Sequence, residues 1–164
     1  MGTNYYLRPD PCACCGRGLE PLHIGKSSMG WCFSLHIYPP DLDCPDWLEG
    51  LLPERRPQDW DTMKGFLMAA QVLPARRSPE LSERLPQALA ATRCTIQDEY
   101  GQGVNWFEFL EKVCARRALV ADPGWLLMAG AIEGPNHMAR MPIGQHVIGH
   151  HETLPIDYWT GEFS

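Results

Sequence analysis

Apolar and polar residues alternate along residues 31–38, where Trp31, Phe33, Leu35 and Ile37 interleave with Cys32, Ser34, His36 and Tyr38. A period of two over this length predicts a half-buried strand. Tyr5, Tyr6 and Leu7 form a shorter strand pattern, the turn-rich stretch 8–21 follows, and Leu22, His23 and Ile24 make another. Residues 25–30, bounded by Gly25 and Gly30, are then the connection of a hairpin between the second and third of these strands.

After Pro39 and Pro40 the period becomes helical. Pro45 stands at a first helical position before Trp47, Leu48, Leu51 and Leu52, and a second pattern, Trp60, Met63, Phe66, Leu67, Ala70 and Leu73, stops at Pro74. Residues 74–89 are rich in Pro, Arg, Ser and Glu, with one weak helix over 79–85. They read as surface, and residues 56–92 as an insertion. Residues 94–100 form a short strand ending in a turn at Gly101 and Gly103, and Asn105 with Glu108 makes a capping box for a helix running to about Arg117, with Phe107, Leu110, Val113 and Cys114 on its apolar side. Residues 125–132 are apolar but too few for periodicity to separate helix from strand. The tail, broken by Gly and Pro, carries one expected strand at 146–148. There is no internal repeat.

Composition narrows the function classes. The formal net charge of −6 disfavours the counterion release that drives binding to nucleic acid. No apolar run approaches the roughly 20 residues of a membrane span, and residues 1–11 lack the basic and apolar regions of a signal peptide, so the chain is expected to remain where it is made. Of seven cysteines, three crowd together as Cys12, Cys14 and Cys15. In a chain without an export signal, such a cluster points to metal ligation rather than disulfides.

The strongest chemical signal is Cys12, Cys15 and Gly16, a Cys-x-x-Cys-Gly turn in which two thiolates reach one ion while turn amides stabilise their charge. His23 is the nearest further ligand, pointing away from the apolar face. Cys32 and His36 compete for the fourth position. Four residues along a strand span about 13 Å, so a zinc with Zn–S of about 2.3 Å cannot hold both. A hairpin centred on Ser27 and Ser28 would face His23 with Cys32, Cβ atoms about 5 Å apart, whereas a bulge would admit His36. The expected set is therefore Cys12, Cys15, His23 and Cys32 or His36, closed around a structural zinc. Cys14, Cys44, Cys94 and Cys114 are expected to pack.

Other candidates carry less. Gly25, Lys26 and Ser27 lack the glycine a phosphate-binding loop needs at the position of Glu20. Asp98 and Glu99 would point to opposite faces of a strand, which suits a turn-defining role beside a packed Tyr100 better than acid–base work. His137, His146, His150 and His151 crowd the tail. As loop histidines they would bond backbone carbonyls; as a cluster they would bind a second metal in a nuclease-like enzyme.

The segment Leu-His-Ile-Gly-Lys-Ser-Ser-Met-Gly-Trp at 22–31 resembles a group of small uncharacterised proteins encoded by tailed bacteriophages. The likeness extends to Cys12, Cys15 and Gly16, to Asp-Glu-Tyr-Gly at 98–101 and to the ending 160–164, about a third of the chain. It implies a phage origin and expression in the host bacterial cytoplasm, and it carries over no catalytic residue. Residues 56–92 lie outside it and are a place where a partner of this chain's own would bind.

These readings combine into one α+β domain over residues 1–164. A small antiparallel sheet with a zinc-ribbon-like N-terminal hairpin in the subregion 1–44 packs against several helices. The expected function is that of a zinc-stabilised phage accessory protein acting by binding another protein, of the host or the phage, including a host defence factor. A metal-dependent enzyme using the histidine-rich tail and a structural virion component are the alternatives.

Overall fold

The computed structural model describes residues 2–118 and 130–161. The fold is α+β. Strands β1 (Gly2–Pro9), β2 (Leu22–Ser28) and β3 (Phe33–His36) are followed by helices α1 (Asp46–Glu49), α2 (Trp60–Gln71) and α3 (Pro79–Ser82), then β4 (Cys94–Asp98), α4 (Trp106–Cys114), the two-residue strands β5 (Ile132–Glu133) and β6 (Ala139–Arg140), and finally β7 (Val147–His150) and β8 (Ile156–Trp159). Six strands form one sheet in the order β4-β1-β2-β3-β8-β7, and β5 pairs with β6. The sheet is mixed, not antiparallel throughout as expected: β3 lies parallel to β8, with Phe33 beside Ile156 and His36 beside Trp159. The expected strand at 146–148 is β7, and the apolar stretch 125–132 falls mostly outside the described residues. Among the described residues no helix is long and apolar enough to cross a membrane.

The chain groups into two compact units, to both of which β1 and β2 contribute residues. One unit comprises Met1–Tyr5, Ile24–His36 and Val104–Ser164, the other Tyr6–His23 and Ile37–Gly103.

The first unit is organised by three rings. Tyr5 and Phe109 meet edge-on at 5.8 Å, Phe33 and Phe109 at 6.0 Å and 88°, and Tyr5 and Phe33 at 6.0 Å. Such pairs contribute about 0.5–1.5 kcal/mol each beyond their burial. Helix α4 starts where its sequence says: the Asn105 side chain accepts from Glu108 N and the Glu108 side chain from Asn105 N. Its buried residues are Phe109 and Val113, whereas Phe107 is exposed. Of the expected apolar side, Val113 is buried and Leu110 and Cys114 half-buried; Phe109, against Tyr5 and Phe33, takes the buried place expected of Phe107. Past the helix, Arg116 Nε donates to Trp31 O at 3.0 Å, and its other nitrogens bond Ser27 Oγ and Ser28 O.

The β2–β3 pairing sets Gly25 against Leu35 and Lys26 against Ser34. The hairpin therefore turns around Gly30, which has φ +79°, and not between Ser27 and Ser28. Gly25 is in the strand because a Cβ there would collide with Ser34 O and the Phe33 ring. The polar run Lys26-Ser27-Ser28 reads as a loop, yet it extends β2: Gly2 packs against Lys26 and Ser28, and Arg116 takes both serine groups.

In the second unit, α2 buries Trp60, Met63, Phe66, Leu67, Ala69 and Ala70, the spacing of a helix packed on one face. Its first turn is closed by a capping box between Asp59 and Thr62. Residues 74–89, read as surface, also contribute buried side chains, Leu85 and Leu89. Arg77 holds the segment in place. Its guanidinium donates to Ala69 O, Ala70 O and Val72 O at the end of α2 and to Leu89 O, Ala90 O and Thr92 O of the returning chain. Helix C-termini leave their last carbonyls without intrahelical partners, and one side chain satisfies several here.

Arg77→Ala should therefore cost about 2–4 kcal/mol, the range for losing charged hydrogen bonds to carbonyls that stay partly buried. The neighbouring exposed Arg76→Ala should stay within about 0.5 kcal/mol of wild type. Urea unfolding followed by circular dichroism measures both, and equal effects would contradict the role given to Arg77.

Candidate metal centre

The segment Pro11–Gly18 is exposed throughout. Cys12 N donates to Arg17 O at 2.7 Å and Gly16 N to Cys12 O at 2.8 Å, closing a tight turn. Gly16 has φ +69°, a conformation that glycine adopts without steric cost. Further along the chain, Trp47 Nε1 donates to Glu20 O at 3.0 Å and Tyr38 Oη to His23 O at 2.7 Å, so the turn projects from an anchored stem.

This backbone gathers three thiols. The Sγ atoms of Cys12, Cys14 and Cys15 all lie within 4.8 Å of one another, the sole group of three or more potential metal-ligating side chains that meets this limit among the described residues. Cys12 and Cys14 are closest, at 2.9 Å. Zinc with Zn–S of about 2.3 Å places its sulfurs roughly 3.8 Å apart, within reach of small side-chain rotations. Hydrogen bonds from the Cys14 thiol and from the turn amides of Cys14 and Cys15 lower the Cys12 thiol to about 7, while Cys14 is pushed upward by donating to Cys12. The turn thus favours thiolate at the position that begins it.

The other expected ligands stand elsewhere. His23 stacks on Tyr6, ring centroids 4.9 Å apart. Cys32 is 2 % exposed, its amide donates to Ala139 O at 2.8 Å, and burial pushes its thiol to about 12, which keeps it protonated and a poor ligand. His36 lies on β3 beside Trp159 of β8. The facing of His23 with Cys32 depended on a turn at Ser27 and Ser28, and the register around Gly30 removes it. Conversely Cys14, expected to pack, is exposed and joins the cluster. Adjacency to Cys12 and Cys15 was the available signal, hidden by reading the turn as a two-cysteine motif. Cys94 is buried and Cys44 and Cys114 are partly so.

The tail histidines have separate partners. His137 Nδ1 is 2.7 Å from Glu133 Oε1, His146 stacks on Trp159, His150 Nε2 bonds Met141 O at 2.8 Å, and His151 Nδ1 accepts from Thr153 N and Leu154 N. Asp98 defines its turn as expected, its Oδ1 accepting from Tyr100 N and Gln102 N, although Tyr100 is exposed rather than packed.

Sequence reasoning missed a buried charge cluster in the first unit. Arg140 Nε lies 3.0 Å from Asp157 Oδ1, and Arg140 Nη2 donates to His151 O, Leu154 O and Ile156 O at 2.8–3.1 Å. His150 Nε2 is 3.8 Å from the same carboxylate, Met141 N donates to Asp157 Oδ2 at 3.4 Å, and the Cys32 thiol is a further neighbour. The guanidinium gathers the carbonyls of the loop between β7 and β8, and Asp157 balances its charge. With Asp157 only 2 % exposed, the cluster is structural.

No protein-family model matches this chain, and neither the curated proteins nor the solved structures contain a match to it.

Burial raises Asp157 from its ordinary 3.8 to about 6, against the lowering effects of His150 and Arg140. The folded protein consequently holds an extra proton between those values that the unfolded chain releases. The stability of wild type relative to Asp157→Asn should fall as pH rises from about 4 to about 6 and level off above it. Paired denaturation curves across pH 3.5–8 (approximately, spanning the window) measure this difference; a constant one would contradict the assignment.

Proposed function

We propose that this protein is a zinc-binding accessory protein that acts by binding another protein, with the ion held at the surface by Cys12, Cys14 and Cys15. The convergence of three exposed thiols on one turn carries this reading. Thiolates are soft ligands suited to zinc, and the turn amides that lower Cys12 also stabilise a ligated sulfur. Exposure of the whole segment gives another molecule access to the ion. Large apolar side chains exposed at Met29 and Phe107 in the first unit and Tyr100 in the second are of the kind that anchors protein interfaces. The resemblance to phage proteins makes the partner a phage or host protein, a defence factor among them, met in the host bacterial cytoplasm.

A three-cysteine site within four residues differs energetically from a zinc ribbon. Its ligands are neighbours in the unfolded chain as well, so the ion binds both states and stabilises the fold far less than a site assembled from distant residues.

Native mass spectrometry of the full chain under a phosphine reductant should show one zinc per chain. Cys12→Ser, Cys14→Ser and Cys15→Ser should each weaken binding by about tenfold or more, as loss of a direct ligand exceeds the effect of an outer-shell change. His23→Ala, His36→Ala and Cys32→Ala should leave the stoichiometry unchanged. Chelation should shift Tm by only a few degrees, roughly the mass-action effect of a site that also binds the unfolded chain. Zinc retained after replacing all three cysteines would overturn the assignment.

A further inference from the structure

The ligand set has a consequence for what the ion binds. Zinc sites take four ligands, and those with three protein ligands keep the fourth position for an outside group. All seven cysteines and six histidines of the chain are among the described residues, and none beyond Cys12, Cys14 and Cys15 joins the cluster. Because residues 11–18 are exposed, the fourth position opens to solvent.

Electrostatics selects the donor. Three thiolates on a divalent cation leave one net negative charge, and exposed Asp10 and Glu20 flank the turn against a single Arg17. A fourth thiolate or a carboxylate would add negative charge to an already negative locus. A neutral imidazole completes the tetrahedron without that repulsion and is a good zinc ligand.

Resting on the zinc reading above, we infer that the ion is completed by a histidine side chain of a partner protein, so that the Cys12–Cys15 turn is a metal-bridged docking point. The turn supplies three sulfurs and the negative charge; the partner supplies the nitrogen. Removing Cys14, one of the three clustered sulfurs, would leave two positions open.

The full-length chain loaded with cobalt(II), a spectroscopic substitute for zinc, tests this under a phosphine reductant. Imidazole is titrated, followed by a peptide with one central histidine and its alanine counterpart, with absorption and native mass spectrometry read together. Expected is a saturable change in the cobalt bands at one imidazole per ion, a ternary mass with the histidine peptide and none with the alanine peptide, and a second imidazole taken up by Cys14→Ser. Cobalt bound with a spectrum unmoved by imidazole, or imidazole stripping the cobalt, would overturn the docking point. An imidazole response without a peptide adduct would restrict the position to small molecules and overturn the protein partner. Cobalt-dependent dimerisation without any added donor, read by sedimentation, would assign the position to a second copy of the chain and overturn it as well. Failure of the wild-type chain to bind cobalt or zinc at all would instead remove the zinc reading beneath it.

Discussion

Fifteen prolines leave this chain short of backbone donors, since each proline removes an N–H while keeping its carbonyl. Its helices are also short, three or four residues in several cases, and every helix end adds carbonyls without partners. A fold of this kind depends on donors from side chains. Arginine supplies five in a planar fork and does not lose its charge. Arg77 caps α2 and fastens the returning chain, Arg140 gathers the loop before β8, and Arg116 holds the β2–β3 turn. The cost is a guanidinium drawn away from water. In the first unit Asp157 offsets it for Arg140, whereas Arg77 and Arg116 rely on carbonyl dipoles and residual exposure.

This dependence explains what could be read from sequence and what could not. Local signals succeeded: the apolar period of residues 60–73 gave α2, and the Asn105 and Glu108 box gave the start of α4. Both rest on interactions within four residues. The parallel pairing of β3 with β8 joins positions about 120 residues apart, and nothing in either strand's pattern names its neighbour. The arginines misled in a particular way. A segment rich in Pro, Arg, Ser and Glu has the composition of a surface insertion, yet its Arg77 points inward to bond carbonyls, and carbonyls are invisible in a sequence.

The candidate site was half legible for the same reason. The Cys12–Cys15–Gly16 turn is local, and it forms with Gly16 in the conformation that such a turn needs. The remainder of the expected ligand set rested on a hairpin register, and register is decided by packing on both sides of a strand. Here Gly2 and Arg116 draw Lys26, Ser27 and Ser28 into β2, which moves the turn to Gly30 and leaves Cys32 to bury beside Arg140. A polar tripeptide between two glycines reads as a loop until the groups that bond it are known.

The three clustered thiols sit in a single exposed turn and not in a packed core. In a zinc ribbon the ligands come from distant segments, so the ion is part of the core and its coordination sphere must close. Here the cores of both units are built from apolar side chains and arginine-bound carbonyls, none of which involves Cys12, Cys14 or Cys15. Substituting one of these thiols would open no cavity, because each is exposed. A structural zinc would call for the opposite arrangement, with ligands buried and spread through the fold. The three cysteines here are instead local in sequence and exposed, so the packed cores do not depend on them.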